Sequence, residues 1–261
     1  MKRLEEEIVA LQAMKKYPKE LYVSGNAALL ERKKVSIVGA RKTSKYTREL
    51  THKLSLALAN VGVCVVSGGA MGVDAVAHLG AGSHNTIAVL PCGINIKYPA
   101  VNKNLLNDIE RDGLLISQFS PNFRATPWSF VSRNEIVVAL GKVLVVAEAE
   151  LGSGSMRSIE FALKMGKEIF VFPHRLGESS ATNELLQKKK AEVIYDIDAF
   201  VSRFGMLEKQ EIVEDEFYLF CKTTPTYDVA LAKFPQRVFE AELSGEIEIK
   251  NGKVFLLIGR L

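Results

Sequence analysis

The sequence predicts an α/β fold, a doubly wound parallel sheet with a small C-terminal domain of winged-helix outline. Three observations lead there. Apolar, β-branched runs alternate with stretches of helical spacing between residues 35 and 204, and such alternation pairs strands in parallel with helices on both faces. Glycines cluster where strands hand over to helices, as in VVSGGAMGVD (65–74). After residue 216 the pattern changes to short helical stretches and then two alternating strands around Asn251-Gly252, the strongest short hairpin signal.

Taken in order, residues 1–30 are expected to be mostly helical, with a break at Tyr17-Pro18. VSIVG (35–39) reads as a buried strand, and helical spacing follows from about 47 to 60. VGVCVV (61–66) is the next strand, then the glycine turn and a small-residue helix over 71–82. TIAVLP (86–91), LLIS (114–117), KVLVVAEA (142–149), EIFVFP (168–173) and VIY (193–195) continue the strands. The intervening helices are expected over 102–111, 128–140, 155–165, 182–190 and 198–204. EFYLF, TTPTYDVALAKF and FPQRVFEAELSG, the last closed by Gly245, then precede the hairpin EIEIK-NG-KVFLL. The domains read as 1–30, a short helical segment; 31–205, the sheet; 206–216, an acidic linker; and 217–261, the winged-helix-like part.

Composition narrows the function. Apolar residues make up 48% and charged residues 25%, the balance of a water-soluble globular chain. No apolar run approaches the roughly 18 residues of a membrane span, and the first residues mix acids with bases, unlike a secretory leader. A cytoplasmic location is expected. Cys64, Cys92 and Cys221 lie far apart with no CxxC pair, so neither a zinc site nor a redox motif is indicated. The net charge of +4 is unevenly spread: residues 206–261 hold 7 basic and 10 acidic residues, or −3, leaving 27 basic and 20 acidic, or +7, in residues 1–205. A polyanion would prefer the first part.

The turns suggest which polyanion chemistry. Adjacent glycines after a strand admit positive φ and close approach of a ligand, and the following helix offers unpaired N–H groups at its positive pole, a phosphate site. Ser67, Gly68, Gly69 and Gly72 form one such turn, with Asp74 able to accept N–H groups near the helix start. IVGARKTS (37–44), with Gly39, Arg41 and Lys42, is another, and ELGSGSMRS (150–158), with Gly152, Ser153 and Gly154, is a third. The plain alternative is that the glycines only let strand and helix pack closely. Three turns on one sheet edge suit a chain of phosphates better than one nucleotide. Neither GxGxxG nor GxxxxGK[ST] occurs, which excludes a dinucleotide fingerprint and a P-loop.

Basic and aromatic residues gather in the same loops: Arg41, Lys42 and Lys45; Lys97, Tyr98 and Lys103; Phe123, Arg124, Trp128, Phe130 and Arg133. Rings interleaved with cations suit single strands, whose bases stack while phosphates pair; core packing is the alternative for each ring. Asp74 and His78, four apart, are too few ligands for a metal site and read better as helix packing.

VSIVGAR, VSGGAMGVDAVAH, TIAVLPCGINIKYP, SRN and SGS occur in the order found in the DNA-processing protein A (DprA/Smf) family, which the chain resembles from about Tyr17 to Phe204. The winged-helix part resembles that family's C-terminal domain. The resemblance implies an extended Rossmann-like fold that binds single-stranded DNA without a cofactor, forms homodimers, loads RecA recombinase and protects incoming DNA during natural transformation. Carried over by motif, the DNA contacts are Gly39, Arg41, Ser67, Gly68, Gly69, Gly72, Lys103, Gly152, Ser153 and Gly154, with Phe130, Arg133 and Asn134 meeting a base or its sugar-phosphate. Glu135, Pro127 and His174 depart from the family pattern and bear on affinity.

Two further readings compete. Nucleotide phosphoribohydrolases share a glycine-rich core with a GGxGTxxE signature; here Ser158 stands at its glutamate position and Glu160 points to another side of the helix. A non-enzymatic binder is therefore expected. The acidic winged-helix part, with Arg237 set against Glu240 and Glu242, reads as a protein-interaction module rather than a duplex reader.

Overall fold

The computed structural model describes residues 1–205, 216–243 and 247–256. The chain forms two compact units, residues 1–207 and 208–261.

The first unit begins with β1 (Lys2–Arg3) and β2 (Tyr22–Gly25), then enters the alternation with β3 (Lys34–Val38) and α1 (Lys45–Asn60). It continues with β4 (Cys64–Ser67), α2 (Val73–Ala81), β5 (Thr86–Val89), α3 (Lys103–Asp112), β6 (Leu114–Ser117) and α4 (Pro127–Leu140). The remaining elements are β7 (Leu144–Val146), α5 (Ser155–Lys164), β8 (Ile169–Val171), α6 (Ser180–Gln187), β9 (Glu192–Val193) and α7 (Ile197–Val201). The sheet order is β1-β2-β6-β5-β4-β3-β7-β8-β9, parallel from β6 to β9. The doubly wound sheet is therefore present.

Its strands are buried on both sides because period-2 alternation sends neighbours to opposite faces. Val35 and Ile37 meet Leu54 and Leu58 of α1 and Val73 and Ala77 of α2, whereas Val38 meets the α4 and α5 side at Val137 and Ile159. Strand order reverses between β3 and β7, and the chain leaves those strands into α1 and α5 on opposite faces. This is the topological switch point, where the crevice outside the carboxyl ends receives ligands.

Residues 1–30 correct the expectation of a mostly helical segment. Only 3-10 turns form, over Val9–Ala13 and Ala27–Leu30, and β2 pairs antiparallel with β6, Val23 opposite Ile116. The edge of β6 offers unpaired backbone groups, and satisfying them outweighs weak local preference. Leu11 and Leu29 are wholly enclosed in the same core as Ile116. Cys64 packs as a small core residue, its thiol pushed up to about 12 by burial. Among the described residues, no helix is long and apolar enough to cross a membrane.

The second unit holds α8 (Glu216–Cys221), α9 (Tyr227–Lys233), α10 (Pro235–Leu243) and the hairpin β10 (Ile247–Lys250) and β11 (Lys253–Leu256) around a core of Phe217, Cys221, Ala230, Val238, Ile247 and Val254. Asn251 and Gly252 take φ of 50° and 71°, the double left-handed turn an Asn-Gly hairpin requires. The linker proper and Gly245 lie outside the described residues.

Candidate nucleic-acid interface

A cleft of about 490 Å3 opens at the switch point between β3 and β7. It gathers residues from motifs more than 100 positions apart: Gly39 and Arg41 after β3, Gly68 after β4, Phe130, Arg133 and Asn134 on α4, and Ser153 and Gly154 before α5. A smaller adjoining hollow is lined by Arg41, Phe130 and Arg133 together with Tyr98 and Pro99. Ser67, Gly69, Gly72, Lys103 and Gly152 line neither.

Backbone contact explains part of this division. Gly72 has φ of 76°, and a Cβ there would run into the carbonyls of Ala40 and Arg41, so glycine joins two turns rather than facing a ligand. Gly69 presents its carbonyl to Asn102, whose amide donates at 3.0 Å. Ser67 is fully buried and its hydroxyl donates to the Ile37 carbonyl at 2.7 Å, leaving no free hydroxyl at the surface. Lys103 stands exposed at the start of α3.

Carboxylates of the chain itself occupy two of the three expected anion turns, and also the start of α6. At the turn after β4, the buried Asp74 carboxylate accepts the Ala70 N–H at 3.3 Å, and the Val73 N–H at the start of α2 donates to Ala40 at 3.1 Å. Burial raises the Asp74 pKa, and the neighbouring Arg133 charge pulls it back. At the start of α1, Glu148 accepts from the Ser44 N–H at 3.1 Å and from the Thr43 and Ser44 hydroxyls at 3.0 Å. Burial pushes Glu148 up, but the bonds from the 43–47 segment outweigh it and leave it below the usual carboxylate range. At the start of α6, Glu150 accepts the Ser179 and Ser180 N–H groups at 2.9 and 3.1 Å, and bonds from Ser180 first of all hold its pKa down.

The start of α5 is different. It has no side-chain cap and no acid in its first turn. Gly152 adopts φ of 78° in open space, and Gly154 has no atom near enough to crowd a Cβ. The Gly154 and Ser155 N–H groups have no partner among the described residues. The Ser153 hydroxyl oxygen is enclosed and also unpaired among them. A positive helix end with unsatisfied donors is an anion seat. In the same cleft, Arg41 lies 5.4 Å over the Phe130 ring, and Tyr98 meets that ring in a T-shaped contact at 5.8 Å. Phosphate-binding and base-stacking chemistry thus share one cleft.

Arg133 takes a role the motif did not suggest. It is 4% exposed; its Nη1 donates to the Gly68 carbonyl and, at 3.2 Å, to that of Val89, and lies 3.9 Å from Asp74. The guanidinium braces the glycine turn from beneath and has little surface left for a ligand. Behind it, His78 donates or accepts at Thr86 Oγ1 over 2.6 Å and is driven down to about 3, first by burial and then by Arg133. His78 is a neutral packing residue, and among the described residues no cluster of three or more His, Cys, Asp or Glu could hold a metal.

The departures from the family pattern also find places. Glu135 accepts the Lys15 N–H at 3.2 Å and faces the N-terminal segment, not the cleft. Pro127 is the first residue of α4, a position suited to its fixed φ. His174 bonds the Ala147 carbonyl at 2.8 Å. Sequence reasoning missed Glu148, Glu150 and Arg157, the last of which lines the cleft; for the two acids, their place in AEAEL at a strand end was the available signal, but nothing local says which helix each will reach.

The family profile described as DNA recombination-mediator protein A matches residues 6–205. The chain is 35% identical over 175 residues to the DNA processing protein DprA of Streptococcus pneumoniae, covering 66% of this chain and 62% of that one. It is 32% identical over 232 residues to protein Smf of Escherichia coli, covering 87% and 61%, so it spans less than two thirds of these relatives' length. Among solved structures, DNA processing protein A of Helicobacter pylori, described for its single-stranded DNA binding mode, superposes with a TM-score of 0.76 at 39% identity over 77% of this chain and 94% of that chain. The Streptococcus pneumoniae structure gives 0.70 at 32% identity over 76% and 71%. With the profile, the curated relatives and the solved structures in agreement, the chain belongs to the DNA recombination-mediator protein A (DprA/Smf) family.

Proposed function

We propose that the switch-point cleft binds single-stranded DNA. The observation that carries this is convergence: an open helix N-terminus, an exposed arginine without a carboxylate partner among the described residues, and a half-buried ring meet in one groove. A backbone phosphate sits on the N–H groups of Gly154 and Ser155 beside Ser153. Arg41 pairs with the next phosphate, Phe130 stacks a base, and Asn134 meets its sugar or edge. Gly39 leaves room for Val73 and Gly68 for the Arg133 guanidinium, so both glycines line the cleft by letting its turns pack closely, and Arg133 positions the turn. Ser67, Gly69 and Gly72 shape the turns, while Gly152 and Lys103 lie at the periphery.

Within its family, the protein acts as a recombination mediator: a cytoplasmic homodimer that protects incoming single strands during natural transformation and hands them to RecA recombinase, with no cofactor. The positive balance of residues 1–205 and the single-strand binding described for the Helicobacter pylori relative support this. The acidic C-terminal part, read as a winged helix, serves protein contacts. The hydrolase reading is disfavoured because Ser158 is buried where that chemistry needs a carboxylate, and Glu160 is tied to Arg157 at 2.9 Å. A gel-shift comparison of single-stranded with duplex DNA, run beside nucleotide-hydrolysis assays, tests the proposal. Preference for single strands without turnover is expected; equal binding of duplex, or turnover, would overturn it.

A further inference from the structure

We propose that Trp128 is a second base-stacking platform, taking a nucleobase of the strand after it leaves the cleft; this rests on the single-strand reading above. Trp128 is 58% exposed, yet it is not loosely held. Its ring stands edge-on to the stacked pair Phe119 and Phe123, at 5.4 and 5.7 Å, those two rings lying 4.6 Å apart. It projects from the first turn of α4, where Pro127 starts the helix and the Thr126 N–H donates to Ser129 Oγ at 3.0 Å. The indole is therefore braced by two rings before any ligand arrives, with more than half of the residue in water. Hydrophobic burial favours covering such a ring, and a base stacks on a fixed ring at little entropic cost.

Continuity with the cleft identifies the occupant. Trp128 and Phe130 are two residues apart on one helix, so they project about 200° apart around a cylinder about 10–12 Å wide. The ground between them is bridged by Tyr98, 44% exposed and against Phe130, and by the loop preceding it. That loop is fastened to the Trp128 side by Gly93 N–H to Phe123 at 2.8 Å and Asn95 N–H to Pro121 at 3.0 Å. Arg124, exposed and without a carboxylate partner among the described residues, directly follows Phe123 of the platform in the chain and serves as the phosphate counterpart. Rings spaced along a surface with free arginines at both ends match a single strand.

Trp128 is the chain's one tryptophan, so its emission reports this site alone. Full-length protein is titrated with oligothymidylates of about 4 to about 16 nucleotides, the range of single-strand site sizes, while anisotropy of a labelled strand follows binding. The shortest binders are expected to leave emission unchanged, and longer ones to quench it. Trp128→Ala is expected to weaken long strands by about 5- to 150-fold and leave the shortest binders alone, and Trp128→Phe to recover much of the loss. Long strands that bind without quenching, and with Trp128→Ala unaffected, overturn the platform while the cleft stands, and leave the patch to a protein partner, since Trp and Arg also anchor such contacts. If no oligomer binds by anisotropy, the cleft and the platform fall together.

Discussion

The turn after β4 and the turn before α5 are written in the same small residues, SGGAMG and GSGS, and they are put to opposite use. The first is closed: Asp74 fills it with a carboxylate, Ala40 takes the first N–H of α2, and Arg133 locks it from below. The second is open, with N–H groups that no residue described here satisfies, above an enclosed serine hydroxyl that is also unpaired among them. Small residues create room for backbone donors; whether a ligand enters depends on whether the chain supplies its own anion. Glu148 and Glu150 make the same point, each satisfying a helix start a ligand could otherwise use. The expectation of three equivalent phosphate turns thus becomes one open seat supported by braced neighbours.

The comparison can be broken most severely at the closed turn. Asp74→Ala leaves Arg133 buried without its carboxylate, and the loss of a buried partner costs about 3–5 kcal/mol. Denaturant unfolding is expected to show that loss; a change below about 1 kcal/mol would mean the turn does not depend on its internal anion. Next in size, Gly154→Asp turns the open seat into a closed one. The position has a helical φ of −60° and open space around it, so the fold tolerates the change. Like charge against phosphate costs several kcal/mol, so affinity for single strands should fall by about 100-fold or more in anisotropy titrations, with thermal stability unchanged.

The closed turn is also backed by a titratable group. His78 in the folded protein is driven down to about 3, from an ordinary value near 6.5. The unfolded chain takes up a proton below pH 6.5 that the folded chain refuses, so stability is full above that pH and falls as pH drops toward 3. The slope reaches about 1.4 kcal/mol per pH unit. His78→Gln is expected to flatten that part of the unfolding free energy measured against pH. The smallest effect sharpens the comparison at the cleft mouth. Arg41→Ala should weaken all single strands alike and reduce the log–log salt dependence by about 0.7, one phosphate's share. An unaltered slope would remove Arg41 from the interface.

Much of the fold was readable in residue order because the signals are local. β-Branched runs such as Val35–Val38 and the spacing of Leu54 and Leu58 mark a buried strand and an amphipathic helix without reference to anything distant. Residues 1–30 depart from their helical expectation because β2 exists only through its partner β6, some 90 positions on. The candidate site was half readable. Gly39, Arg41, Gly68, Phe130, Arg133, Asn134, Ser153 and Gly154 do come to one cleft, but Arg133, expected to meet a base or its sugar-phosphate, is a buried brace there.

By itself the sequence determined the alternation of strands and helices, the hairpin at Asn251-Gly252, the positive balance of the sheet region and the places where glycine frees backbone donors. Only the tertiary structure decided which donors are already spent. Ser44 and Glu148 meet across 104 positions, Gly68 and Arg133 across 65, Ser179 and Glu150 across 29 to reach one another. Hydrogen bonds and charge act through space over a few ångströms, so a carboxylate's reach is set by the packing of strands and helices, not by its place in the chain.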